Sequence, residues 1–163
     1  MGKMPAQRPG RSKQNYGTPL AFFYAAQRRL NCEFVFDLAA DEHNTLVPDH
    51  YFDEEANSLI QHWPRVVPKG AWAWLNPPYA DIRPWAQKCV QASDRINIAM
   101  LVPAGIGANW YRDFVHGDAL VLAVNGRLTF VGCTKPYPKD TILCVYGPEI
   151  APGFSVWDWR KEP

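Results

Sequence analysis

The chain has no Cys-x-x-Cys pair; its four cysteines, Cys32, Cys89, Cys133 and Cys144, are scattered. That spacing supports neither a zinc site nor a disulfide framework, and free buried thiols in a reducing compartment are expected. Charge of one sign is also lacking: 17 Lys and Arg against 16 Asp and Glu leave a net charge of +1, too little for a global field that announces nucleic acid. Long apolar runs are missing, so no transmembrane helix is expected. Residues 1–13 lack the apolar core of a secretory signal. What remains is 163 residues, 47% hydrophobic and 20% charged, which predict one globular domain able to bury its core without disulfides or metals. Fifteen prolines and seven tryptophans predict rigid loops and some half-exposed aromatic surface.

The most informative stretch is Ala71-Trp72-Ala73-Trp74-Leu75-Asn76-Pro77-Pro78-Tyr79. Five apolar residues read as a short buried strand, and two prolines without N–H donors end its pairing. In an open α/β sheet, ligands bind in the crevice beyond the carboxyl ends of the strands, where this tetrapeptide falls. Asn76 offers a side-chain carbonyl and Pro77 a backbone carbonyl on a restricted backbone. Two adjacent acceptors suit a planar –NH2 group such as the 6-amino group of adenine. Accepting both hydrogens draws the nitrogen towards tetrahedral geometry and localises its lone pair for attack. Tyr79 can stack on the same base, and Pro78 holds the groups in fixed relation. A rigid exit turn is the plainer reading of a strand ending in Pro-Pro.

Taken in order, residues 1–14 carry Lys3, Arg8, Arg11 and Lys13 without an acidic residue and predict a flexible basic arm ahead of a single domain over 15–163. Thr18-Pro19 predicts a helix start with Thr18 as N-cap and Pro19 as first helical residue. Leu20, Phe22, Phe23, Ala26 and Leu30 form its apolar face. Phe34–Ala40 predicts a strand with Asp37 near its carboxyl end. The acidic stretch 41–62 holds three histidines but no metal-ligand spacing, and a short helix over Asp53–Trp63 is expected. A helix over 83–92, a strand over Ile96–Ala104, a short helix over Trp110–Val115 and a strand over Ala119–Val124 follow. Leu128–Val131 and Thr141–Tyr146 are expected to close the domain as an antiparallel hairpin. Its loop carries Lys135 and Lys139 among Pro136, Tyr137 and Pro138, and with Arg127 forms the candidate DNA-facing patch. Phe154, Trp157 and Trp159 are expected to pack back on the domain. The alternation of helices and strands predicts an α/β layered domain with a mainly parallel sheet and a C-terminal antiparallel hairpin.

Five motifs in order resemble the phage-type DNA N(6)-adenine methyltransferases, the Dam-like family. They are Gly17-Thr18-Pro19, Phe36-Asp37-Leu38-Ala39-Ala40, Trp74-Leu75-Asn76-Pro77-Pro78-Tyr79, Leu101-Val102-Pro103-Ala104 and Gly126-Arg127-Leu128-Thr129-Phe130, spanning about residues 16 to 146. The resemblance implies a compact Rossmann-like class I methyltransferase fold that uses S-adenosylmethionine. It implies catalysis by Asn76, Pro77, Pro78 and Tyr79. It further implies cofactor binding by Thr18, Pro19, Asp37, Leu38, Ala39 and Ala40, with Asp37 facing the cofactor's ammonium or sulfonium region. The sequence departs from the usual pattern because Asp41-Glu42-His43-Asn44, not Gly-x-Gly, follows the first strand.

The expected function is methylation of adenine in double-stranded DNA, with no metal and no membrane, by a monomer or weak dimer in the cytoplasm of a bacterial host. Cytosine N4, RNA adenine or a protein glutamine present the same planar amine and stay open as substrates. So does a non-catalytic DNA-binding decoy on the same scaffold.

Overall fold

The structure is a computed structural model that describes residues 16–161; the arm expected over 1–14 lies outside them. Six strands form one mixed sheet in the order β1-β2-β3-β5-β4-β6. They are β1 (Phe34–Asp37), β2 (Trp72–Leu75), β3 (Asn97–Pro103), β4 (Leu120–Asn125), β5 (Thr141–Tyr146) and β6 (Gly153–Asp158). β1, β2 and β3 are parallel, β5 runs against both β3 and β4, and β6 is parallel to β4. Of the six, β5 alone is reversed.

Alternation along the strands sorts side chains onto two faces. Ala73, Leu75, Ile98, Met100 and Val102 meet α2 (Arg83–Ala92) and the neighbourhood of α3 (Asn109–Phe114) through Ala86, Cys89 and Val115. Trp74, Ala99, Leu101, Leu122 and Leu143 face the other way, against Phe22, Phe23 and Ala26 of α1 (Leu20–Leu30). The result is three layers, helix, sheet and helix.

Several expectations need correction. Pro19, not Thr18, is the N-cap of α1, and no side chain caps that end. Leu20 is 55% exposed and lies outside the apolar face, whose buried residues are Phe22, Phe23, Ala25 and Ala26. The helix expected over Asp53–Trp63 is replaced by two 3-10 turns, Ser58–Ile60 and Trp63–Arg65. Asn57 in the left-handed region (φ 52°) and Pro64 interrupt any continuous helix there. β1 stops at Asp37, although the Leu38 N–H still reaches the Trp74 carbonyl at 2.9 Å.

The terminal hairpin is the largest difference. Leu128–Val131 is not a strand of the sheet; β4 takes the place beside β5. Pro136 and Pro138 cannot donate to a ladder. The segment instead makes single contacts, with Tyr137 N–H donating to the Leu128 carbonyl at 2.7 Å and Val131 N–H to the Gly17 carbonyl at 2.9 Å. The aromatic end of the chain supplies β6, with Trp157 fully buried and Phe154 58% exposed.

Candidate active site at the ends of the first two strands

Parallel pairing sets Asp37 opposite Trp74, so the ends of β1 and β2 open side by side. Asn76 leaves the sheet two residues past Trp74, and Pro77 and Pro78 carry the chain off it. A third segment converges here from the helix side. It is Tyr16-Gly17-Thr18, ahead of α1, where Gly17 bridges to Val131 and Pro19 disfavours the helical conformation at Thr18.

Asn76 is wired to that segment. Its Nδ2 donates to the Tyr16 carbonyl at 2.7 Å and to Thr18 Oγ1 at 3.1 Å. Its Oδ1 accepts from the Tyr79 hydroxyl at 2.7 Å. A backbone carbonyl can only accept, so the amide nitrogen has to face Tyr16 and the oxygen has to face away. The sequence motif predicted a carbonyl acceptor at this point; the geometry fixes which way it points.

Tyr79 belongs to a set of four rings. Its centroid lies 5.6 Å from Tyr16, 6.0 Å from Tyr137 and 6.3 Å from Phe130. Tyr16 is 4.8 Å from Phe130 and 5.4 Å from Tyr137, and Phe130 and Tyr137 are 5.4 Å apart. Burial, then the neighbouring Tyr137 and Tyr16, push the Tyr79 phenol well above its ordinary range. It is a hydrogen-bond donor and an aromatic face, not an acid or base at neutral pH.

A narrow hollow of about 20 Å³ lies beside Asn76, lined by Tyr16, Gly17, Thr18, Asp37, Ala39, Asn44, Leu46 and Trp74. Asp37 is 3% exposed. Burial raises its carboxyl to about 7, although Leu46 N–H donates to it at 3.1 Å and Ala39 N–H at 3.4 Å. The indole Nε1 of Trp74 is buried with no hydrogen-bond partner. Such an atom costs free energy unless something else accepts from it.

Of the residues expected to hold a cofactor, Thr18, Asp37 and Ala39 line this hollow. Leu38 instead packs in the core, Ala40 donates its N–H to the Phe52 carbonyl, and the Pro19 carbonyl receives the N–H groups of Phe22 and Phe23. Tyr16, Asn44, Leu46 and the Trp74 indole were not singled out from the sequence. Trp74 sat inside the quoted motif, but its role depends on which face of β2 it occupies.

The expected DNA-facing residues lie on the adjoining loop. Arg127, Lys135 and Lys139 are all exposed. Arg127 pairs with Asp140 at 3.2 Å, whereas neither lysine makes an ion pair among the described residues. Lys135 borders a larger recess of about 410 Å³, which Tyr16, Phe130 and Tyr137 share with the ring cluster. Among the described residues no group of three His, Cys, Asp or Glu side chains could hold a metal ion. No described helix is long and apolar enough to cross a membrane.

Comparison with known proteins gives the chain's family. The family model described as DNA N-6-adenine-methyltransferase (Dam) matches residues 6–141. The chain is 29% identical over 149 residues to the DNA N-6-adenine-methyltransferase of Haemophilus phage HP1 (strain HP1c1), covering 86% of this chain and 83% of that protein. It is 29% identical over 98 residues to the DNA N-6-adenine-methyltransferase of Escherichia phage T1, covering 60% of this chain and 39% of that protein. No solved structure matches. With the matched family model reaching across all three converging segments, the chain belongs to the Dam family of DNA N-6-adenine-methyltransferases.

Proposed function

We propose that this protein methylates the exocyclic 6-amino group of adenine in DNA, with residues 15–163 acting as one catalytic domain on a shortened Rossmann-like methyltransferase sheet. The observation that carries the reading is the amide of Asn76, whose two N–H groups are spent on Tyr16 and Thr18, which leaves its oxygen as an acceptor on the Tyr79 side, where it receives the Tyr79 hydroxyl. A preoriented acceptor is what a planar amine needs in order to become a nucleophile.

S-adenosylmethionine, when bound, supplies an electrophilic methyl group on a sulfonium. The hollow's residues suit its amino-acid end: Asp37 is a carboxylate for an ammonium, and the unpartnered Trp74 N–H is a donor for a carboxylate. Ala39 keeps that wall small. The adenine would be flipped out of the duplex at a cost of a few kcal/mol. Tyr79 would stack on it, and Asn76 Oδ1 with the Pro77 carbonyl would hold the amine. So held, the amine nitrogen would have its lone pair free for the methyl carbon that the cofactor would supply, with the sulfur as leaving group and the amine's extra proton passing to water. No strong base is required, in keeping with the raised phenol of Tyr79. Lys135, Lys139 and Arg127 would meet phosphates beside the site.

The test is methyl transfer from labelled S-adenosylmethionine to unmethylated DNA, with nucleoside mass analysis and Asn76→Ala as control. Label on the adenine 6-amino group, lost in the variant while the cofactor still binds, supports the reading. Label on cytosine, RNA or a protein glutamine would reassign the substrate. Full activity in the variant would sink the amine clamp.

A further inference from the structure

Thr18 is a buried hydroxyl residue at a helix start that does not cap the helix. Its oxygen instead accepts one N–H of Asn76, a residue 58 positions away. We propose that Thr18 is a positioning residue for methyl transfer, acting through the Asn76 amide, and not chiefly a contact of the cofactor.

The final torsion of an asparagine side chain is soft and broad. The Tyr79 hydroxyl also donates to Oδ1, but an incoming amine has to share or displace that bond, and the bond from Nδ2 to the Tyr16 carbonyl would then leave the amide plane free to rock about a single contact. The second bond, to Thr18 Oγ1, fixes the plane. Both N–H groups are then committed, and Oδ1 is held in one direction. Thr18 is itself held: Pro19 restricts its backbone, and the Pro19 carbonyl receives Phe22 and Phe23 at the head of α1 at 3.0 and 3.1 Å. Phe22 and Phe23 in turn pack against Trp74, at 6.2 and 5.4 Å between centroids. Trp74 is two residues before Asn76 on the same chain. The amide is thus referenced to the core from both sides, through β2 and through α1. The inference rests on the adenine-methylation reading for the meaning of the amide, but the wiring itself can be tested separately.

The experiment compares Thr18→Val, which keeps the shape and deletes the acceptor, with Thr18→Ser, which restores it. Single-turnover transfer at saturating DNA and cofactor should fall about 10- to 100-fold in Thr18→Val, the scale of misplacing a reacting group. The cofactor dissociation constant should stay within about threefold, and Thr18→Ser should return to within about threefold of wild type on both measures. Thr18→Ala carries the same comparison if Thr18→Val does not melt cooperatively. A wild-type rate in the acceptor-less variant, or a rate fully restored by more cofactor, overturns the proposal. The second readout is solvent exchange of the Asn76 side-chain amide protons by NMR, without DNA. Exchange about tenfold faster in the variant supports the wiring, and equal exchange overturns it. Absence of any methyl transfer by the wild type would bring down the functional reading alone, because the amide readout does not depend on it.

Discussion

The Tyr79 hydroxyl donates to Asn76 Oδ1 at 2.7 Å, so the phenol stands on the acceptor that the target amine would use. Base entry therefore has to share or displace that bond, and the ring and the hydroxyl of Tyr79 have separable effects. Tyr79→Phe removes a hydrogen bond worth about 1 kcal/mol and keeps the stacking face, so transfer should stay within about tenfold of wild type. Tyr79→Ala also removes the face, worth about 1–3 kcal/mol per base, and should weaken engagement of the flipped base by about 5- to 150-fold. Fluorescence of a 2-aminopurine at the target position would follow base engagement in both. Equal defects in the two variants would mean that the ring does not stack.

Asp37 should make cofactor binding depend on pH. Burial holds its carboxyl at about 7, while an ammonium partner requires the ionised form. Below pH 7 the affinity should fall by about tenfold per pH unit, and Asp37→Asn should flatten the profile. The stability effect has the opposite sense. A carboxyl raised from 3.8 to about 7 by folding takes up protons in the native state, so its contribution is complete below pH 3.8 and is lost as pH rises through about 7. Without cofactor, the melting temperature of the wild type should therefore drop relative to Asp37→Asn across that window, as calorimetry would show.

Lys135 and Lys139 make no ion pair among the described residues, whereas Arg127 already has Asp140. If the lysines meet phosphates, the double alanine variant should weaken DNA binding evenly across sequences. It should also reduce the slope of log affinity against log salt by about 2. An unchanged slope in a filter-binding or anisotropy titration would send the DNA to another face.

Trp157 anchors β6 within the core formed with α1, its ring 5.6 Å from Phe22. Trp157→Ala should cost about 3–5 kcal/mol in urea unfolding. Phe154→Ala, three residues earlier but largely exposed, should change stability by about 0.5 kcal/mol or less. A Trp157→Ala loss no larger than that of Phe154→Ala would show that β6 is an accessory strand.

These contrasts also show what the sequence makes legible. The Asn76–Tyr79 motif and Asp37 stand out because a short apolar run and its breakers are local signals; β2 ends at Leu75 as those signals put it, whereas β1 stops at Asp37, short of the expected Ala40. α2 and α3 are read equally well from Pro84 and from the apolar spacing. Thr18 was misread because Thr-Pro at a helix start satisfies a local rule, while its actual partner lies 58 residues away. The unpartnered indole of Trp74 depends on strand register, which composition does not carry. β6 escaped because Phe154 and Val156 put apolar side chains on its exposed face, erasing the alternation that marks a half-buried strand. The hairpin over Leu128–Val131 failed because two prolines in its loop weigh against a ladder more than β-branched residues weigh for one.

The bridge between Gly17 and Val131 bears on how such an enzyme could be re-targeted. Val131 begins the lysine-bearing loop, and a Cβ at Gly17 would come within 3.0 Å of the Val131 Cβ. Gly17 lies between the two residues that hold Asn76. If that loop meets DNA, a loop grafted from a relative would arrive attached to the same turn that holds the Asn76 amide. Swaps that begin after residue 131 keep that seam intact, and swaps that begin before it change the turn that holds Asn76 along with the loop.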